Sequence, residues 1–199
     1  GGSMVAANYG VNGKWGGLRA TAPFVNKFAD TTLDSRYQFY TTGQTKDITS
    51  LSTFTQGYAL PKYQNITSTG ALASNSATSA FVDIDFPMFR LADFHLMYAE
   101  AAVRSGSNLA SGLNYFNLVR ARAVGSSSQN VTALTLDEIL DERGRELYTE
   151  GHRRQDLIRF GKFDDAWWEK EESTSTYNVF PIPQPQLDVN STLVQNPGY

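Results

Sequence analysis

Apolar side chains recur with a helical period only beyond Pro87. Leu91, Phe94, Tyr98 and Ala101 follow one another at steps of three and four residues until Gly106, where a left-handed stop predicts the end of a first helix. Leu109, Leu113, Phe116 and Val119 form the stripe of a second helix, with small Ala110 and Gly112 permitting close approach and Gly125 as its end. Two helices joined by so short a link are expected to pack antiparallel. Thr135 and Glu138 predict a capping box, in which Thr135 accepts from the Glu138 amide and the Glu138 side chain reaches back; Leu134 and Ile139 supply the accompanying staple. This third helix carries Leu136, Ile139, Leu140, Arg143 and Leu147 on one face and stops before Gly151, so Arg143 lies on the apolar stripe. A fourth stretch runs from about Arg153 to Phe160. Beyond Ser173 the chain should be extended: Pro181, Pro183 and Pro185 lack backbone donors and disfavour helix, which predicts a strap along the helices with no secondary structure of its own.

Residues 1–85 carry no such period. Gly, Thr, Ser, Asn and Tyr dominate, and short apolar groups alternate with turn formers, which predicts loops, short strands and one brief helix capped by Thr21 with Pro23 in its first turn. Tyr37 and Phe39 would share one face of a strand. The run of Ser, Thr, Ala and Gly over 67–79 reads as a mobile loop. The expected organisation is a loop-rich, mixed part over 1–85 and a helical part over 86–199, both belonging to one mainly α domain.

Composition narrows the chemistry. The chain has 199 residues, a net charge of −3 and no basic run free of acids, which argues against nucleic acid as a partner. Cysteine is absent, which removes disulfides, thiol nucleophiles and cysteine-ligated zinc. The only histidines are His95 and His152, neither in an HExxH pattern, so no metal site and no cofactor is expected. No stretch reaches the roughly 18 apolar residues that a membrane crossing needs.

The words written along the helices are more specific than their period. Phe86-Pro87-Met88-Phe89-Arg90-Leu91-Ala92-Asp93, Tyr98-Ala99-Glu100-Ala101, Asn117 to Ala123, the spacing of Glu142-Arg143, Glu146-Leu147 and Glu150-Gly151-His152-Arg153, the run Asp156 to Lys162, and the ending Phe180 to Pro183 with Gln195 to Tyr199 stand in one order over more than a hundred residues. Together they resemble the carboxy-terminal part of the SusD/RagB family of outer-membrane nutrient-binding lipoproteins. Over the first eighty residues the likeness is thinner, resting on Trp15 to Thr21 and Gly57 to Tyr63. The resemblance implies a tetratricopeptide-like α-α superhelix with loop insertions. It also implies a non-catalytic role in capturing starch or another oligosaccharide or polysaccharide at the cell surface, beside a TonB-dependent barrel transporter of the SusC type. Membrane contact would come only through a lipid anchor. Family members are longer, begin with a lipoprotein signal and carry further amino-terminal helix pairs, so the chain is expected to be a piece of a larger protein. The RagB branch suggests a peptide or protein ligand as the alternative.

Two groups of residues are candidates for function. Glu142, Glu146 and Glu150 step along one face at intervals of four, and with Arg143, Arg153 and Asp156 they could be a glycosidase's carboxylates or a structural ion-pair network. The network of Arg143, Glu146, Glu150, Arg153 and Asp156 is the expectation, since Arg–carboxylate pairs lock helices and no GxSxG elbow offers a nucleophile. Sugar binding in water calls instead for flat apolar faces against ring C–H groups, with amides for the hydroxyls. Tyr9, Trp15, Tyr37, Tyr40 and Tyr58 on the loop-rich part, together with Trp168, are the ligand-binding candidates, and each could instead cover the helices.

Overall fold

The computed structural model describes residues 1–74, 81–168 and 170–199, so part of the loop predicted over 67–79 lies outside the described residues. These residues form two compact units, Gly1–Glu150 and Gly151–Tyr199, a division that does not coincide with the compositional change near residue 85. The fold is mainly helical, as expected.

In the first unit, α1 spans Ala22–Val25, α2 Leu91–Ser105, α3 Leu109–Val124 and α4 Leu136–Leu147. α2 and α3 are joined through Gly106 and Asn108, both at positive φ, and pack closely together. A Cβ on Gly112 would stand 2.8 Å from the Ala102 Cβ, so the small residues of α3 do face those of α2. Which face of α2 is buried differs from expectation. Leu91 is 70% exposed and Phe94, Tyr98 and Ala101 also face outward, whereas Asp93, Leu96, Ala99, Glu100 and Ala102 are buried. The helix has two apolar sides, and only the side with alanines fits so close an approach to α3; period alone does not choose between them.

At the start of α4 the Thr135 hydroxyl accepts from the Glu138 amide at 3.1 Å, as the capping box requires. The Glu138 carboxylate takes Arg120 and Arg145 rather than returning to the cap. Thr21 does occupy the cap position of α1, with Pro23 in the first turn, but makes no side-chain cap bond.

Among the described residues the loop-rich part contains isolated bridges, Ala20 with Tyr58, Tyr40 with Ala59 and Thr45 with Gln56, in place of the expected strands. An aromatic cluster consolidates it. Tyr37 and Phe39 meet edge to face at 4.9 Å, Phe39 lies 5.4 Å from Phe28, and Phe24 and Phe39 reach Tyr148 just past α4 at 5.3 and 5.8 Å. The Tyr148 hydroxyl donates to the Arg36 carbonyl at 2.9 Å.

Charge makes the second attachment of these loops to α4. Glu142 is fully buried, and Glu146 and Glu150 are nearly so. Glu142 accepts from Arg36 at 2.7 Å, from Arg120 at 2.9 Å and from Arg145 at 2.7 and 2.9 Å. Glu146 accepts from Arg36, Arg90 and Arg122, and Glu150 from Arg90 at 2.7 and 2.9 Å and from Lys62 at 2.5 Å. Arg143 donates to Asp93 of α2, at 2.7 Å. Burial alone would raise the Glu146 and Glu150 carboxyls, but the Arg90 hydrogen bonds, with Arg36 and Arg122 beside Glu146 and Lys62 beside Glu150, hold both below the ordinary glutamate range.

The second unit holds α5, Arg153–Arg159, and α6, Gln184–Val189. α6 corrects the expectation of a tail without secondary structure. Pro183 and Pro185 fall at its cap and in its first turn, where no helical hydrogen bond is lost, so these prolines open a helix instead of preventing one. Further along, the Gln195 side-chain amide donates to the Ile182 carbonyl and accepts from the Ile182 amide, at 2.9 and 2.8 Å, which ties the Phe180–Pro183 segment to the end of the chain.

Arg36→Ala is expected to destabilise the first unit by about 3–5 kcal/mol in urea unfolding, because Asp34, Glu142 and Glu146 lose a shared buried cation; a loss below 1 kcal/mol, the range of exposed pairs, would mean that water already compensates these groups. Gly112→Val should cost about 1–3 kcal/mol by overpacking α2 against α3. For pH the sign follows from the lowered carboxyls. The unfolded chain takes up protons near the ordinary glutamate value of 4.5 and the folded chain only at lower pH, so the stabilisation is complete above that value and lost as pH falls through the folded value. Thermal unfolding followed from neutral to acid pH should therefore fall on the acid limb, less steeply in Glu150→Gln.

Candidate functional site

The rings of the loop-rich part divide according to what claims them. Tyr37 and Tyr58 are half-buried against the aromatic cluster, 5.6 Å from Phe28 and 6.4 Å from Phe39 respectively, and so serve packing. Tyr9 and Tyr40 are half-buried and meet edge to face at 6.4 Å; burial, with Tyr40 alongside, raises the Tyr9 phenol above its ordinary value. Trp15 is different, being 84% exposed.

Trp15 is nevertheless held in place. Before it, the Lys14 ammonium donates to the carbonyls of Gly2 and Met4, each at 2.5 Å. After it, Gly16 lies directly against the Phe54 ring, where a Cβ would come within 2.6 Å. Arg19 then spans to the second loop, donating to the carbonyls of Leu51, Thr53 and Gln56 with its guanidinium 5.5 Å from the Phe54 centroid. Phe54 is itself 52% exposed, and Leu18 and Leu51 are exposed too. Two short loops thus present an indole and neighbouring apolar side chains on a braced backbone. This is a surface that a flat C–H face could cover, with the Arg19 guanidinium over the Phe54 ring.

The sequence did not single out Phe54 or Arg19 for this surface. A ring in the polar stretch Leu51 to Thr55 was the available signal, but nothing local ties that loop to Trp15. Trp168, the sixth candidate, belongs to the second unit, where it is 41% exposed at a φ of +40°.

Glu146 and Glu150 share Arg90, while Arg143 pairs with Asp93. Asp156, in the second unit, is buried and accepts from Arg159 at 2.8 Å, and Arg153 lies half-buried one turn before it. The cations that meet the α4 carboxylates are mostly distant in sequence: Arg36, Lys62, Arg90, Arg120 and Arg122. Among the described residues no group of three or more histidine, aspartate and glutamate side chains is placed to hold a metal ion. Every carboxylate oxygen of Glu142, Glu146 and Glu150 accepts from a cation.

Comparison with known proteins agrees with this architecture. The sequence profile described as the SusD family matches residues 6–199. The chain is 36% identical over 159 residues to the starch-binding protein SusD of Bacteroides thetaiotaomicron, an alignment that takes in 75% of this chain and 27% of that protein. Among solved structures, a SusD superfamily protein from Bacteroides vulgatus aligns with a TM-score of 0.53 and 34% identity, over 61% of this chain and 29% of that one. Surface glycan-binding protein A from Bacteroides fluxus aligns over 98% of this chain and 43% of its own, with a TM-score of 0.68 and 20% identity, a likeness of fold. The chain therefore spans less than half the length of these relatives, and with a profile match over nearly all of its own residues it belongs to the SusD family.

Proposed function

We propose that the chain is part of a non-catalytic, cell-surface component that captures oligosaccharide for a nutrient-uptake system, with Trp15 and its neighbours as the ring platform. The observation that carries the reading is Trp15 itself, an indole exposed by 84% on a loop whose backbone is fixed on both sides. The likeness to a starch-binding protein of the same family supports a glycan as the ligand and starch as the first to try. In this reading Tyr9 and Tyr40 form a secondary aromatic edge, Tyr37 and Tyr58 hold the loops in shape, and Trp168 is a separate exposed ring. The captured glycan would pass to a TonB-dependent barrel of the SusC type. The protein would stand outside the outer membrane on a lipid anchor.

A glycosidase needs one carboxyl kept protonated near neutral pH. Glu146 and Glu150 are shifted the other way, which supports binding without hydrolysis. The arginine-rich network of Arg143, Glu146, Glu150, Arg153 and Asp156 is accordingly read as bracing.

Titration calorimetry with maltooligosaccharides and with a peptide panel tests the proposal. Trp15→Ala should weaken the maltooligosaccharide by about tenfold or more, the loss of a ring that anchors an interface, while its unfolding curve stays that of the parent because the indole is exposed. Equal affinity of parent and variant for every glycan would sink the assignment of the platform. Tight binding of peptides alone would move the ligand class to the alternative, and reducing-sugar release abolished by Glu150→Gln would restore the enzyme.

A further inference from the structure

The loop that carries Trp15 opens with Asn12-Gly13, and Asn12 is the one asparagine in the sequence that a glycine follows. An asparagine is exposed to attack by its own neighbour: the main-chain nitrogen of the next residue can close a five-membered ring on the side-chain carbonyl carbon, which makes asparagine a thermolabile residue. A side chain on that next residue obstructs the closure and narrows its backbone range. Glycine does neither.

Other restraints are absent as well. Asn12 and Gly13 are both exposed, and a Cβ on Gly13 would meet nothing within 4 Å. Among the described residues no hydrogen bond holds the Gly13 amide or the Asn12 side chain. Asn190, which precedes Ser191, differs: its side-chain oxygen accepts from the Thr192 amide at 3.1 Å and from the Thr192 hydroxyl at 2.7 Å. Asn65 is buried, donating to the Gly10 carbonyl at 2.8 Å and accepting from the Asp83 amide at 2.9 Å. Asn12 and Gly13 also lie between two anchored points. Before them the Val11 amide donates to the Ala6 carbonyl at 3.4 Å, and after them the Lys14 ammonium reaches the carbonyls of Gly2 and Met4.

We infer that Asn12-Gly13 is a self-modification site, at which deamidation converts the asparagine to isoaspartate and aspartate and slackens the loop of Trp15. The Gly13 main-chain nitrogen bonds to the Asn12 side-chain carbonyl carbon and gives up its proton, while the bond from that carbon to the side-chain nitrogen breaks and the nitrogen leaves, with the proton, as ammonia. The product is a cyclic imide, and a water molecule then opens it. Addition at the side-chain carbonyl gives aspartate; addition at the main-chain carbonyl gives isoaspartate, in which the chain runs through the side-chain carbons. Both products place a new carboxylate beside Lys14, and isoaspartate alone lengthens the main chain between the Val11 and Lys14 anchors. A longer span between fixed ends loses the ordering that presents the indole. The effect on glycan affinity rests on the platform reading given above; the conversion and the slackening do not.

Peptide mapping by mass spectrometry, on the full chain warmed at mildly alkaline pH where the attacking nitrogen loses its proton more readily, tests the conversion. The peptide holding Asn12 should gain the mass difference of acid over amide ahead of every other asparagine peptide. Gly13→Ala should slow this by about tenfold or more, and Asn12→Gln, which would have to close a larger ring, should stay intact. An unconverted Asn12 overturns the inference, as does faster conversion at another asparagine or an unchanged rate in Gly13→Ala. For the slackening, the isoaspartate form is separated by ion exchange and compared with Asn12→Asp, which has the charge without the longer chain. Amide hydrogen exchange over Lys14 to Gly16 should be faster in the isoaspartate form, and its maltooligosaccharide affinity about tenfold weaker. Equal exchange in the two forms overturns the slackening. Faster exchange with unchanged glycan affinity defeats the platform alone, whereas glycan binding that depends on Trp15 beside an unconverted Asn12 defeats this inference alone.

Discussion

A carboxylate taken out of water must be met by cations, and α4 with the turn after it buries three. An uncompensated buried charge costs several kcal/mol, whereas an exposed ion pair contributes at most about 1 kcal/mol. The tertiary arrangement of the first unit follows from that asymmetry. Arg36 and Lys62 come from the loops, Arg90 from the cap of α2, and Arg120 and Arg122 from α3, so every neighbour of α4 supplies part of the compensation. Each bond fixes a segment as well as a charge. Arg90, forked between Glu146 and Glu150, sets where α2 begins; Arg36, shared by Asp34, Glu142 and Glu146, sets where the aromatic cluster sits.

This explains how a loop-rich stretch can hold its shape with isolated bridges alone. Side-chain donors do the work that sheet ladders do elsewhere. Arg19 collects three carbonyls, Lys14 two, and the Gln56 side-chain oxygen accepts from the amides of Thr49 and Ser50. Backbone groups that would otherwise be left unpaired are satisfied locally. The Phe24, Phe28, Phe39 and Tyr148 rings add apolar burial between these loops and the end of α4.

The parts legible in the sequence were those set by local rules. Helix starts and stops followed Thr135, Gly106 and Gly125, and the close contact of α2 with α3 followed Gly112, because caps and small residues act within a turn or two of themselves. What depended on a distant partner was not legible. The stripe of Leu91, Phe94 and Tyr98 satisfied the helical period yet faces outward, since the choice of face is made by α3. Arg143 answers Asp93 of α2, and the cations that meet Glu146 and Glu150 lie up to 110 residues away. The prolines near Gln184 both forbid a helix interior and favour a first turn, and the sequence alone does not choose between the two. Trp15 could be named as a candidate, but whether a loop ring is claimed by the core is decided by neighbours such as Phe54, which no spacing relates to it.

The division between buried charge and displayed ring has a consequence for binding. A ring on a slack loop would spend much of its contact energy on ordering the loop, whereas a ring on a backbone already pinned by Lys14, Gly16 and Arg19 keeps that energy for the ligand. The same bonds that let α4 bury its carboxylates hold the loops to a firm base, so stability and presentation have one origin.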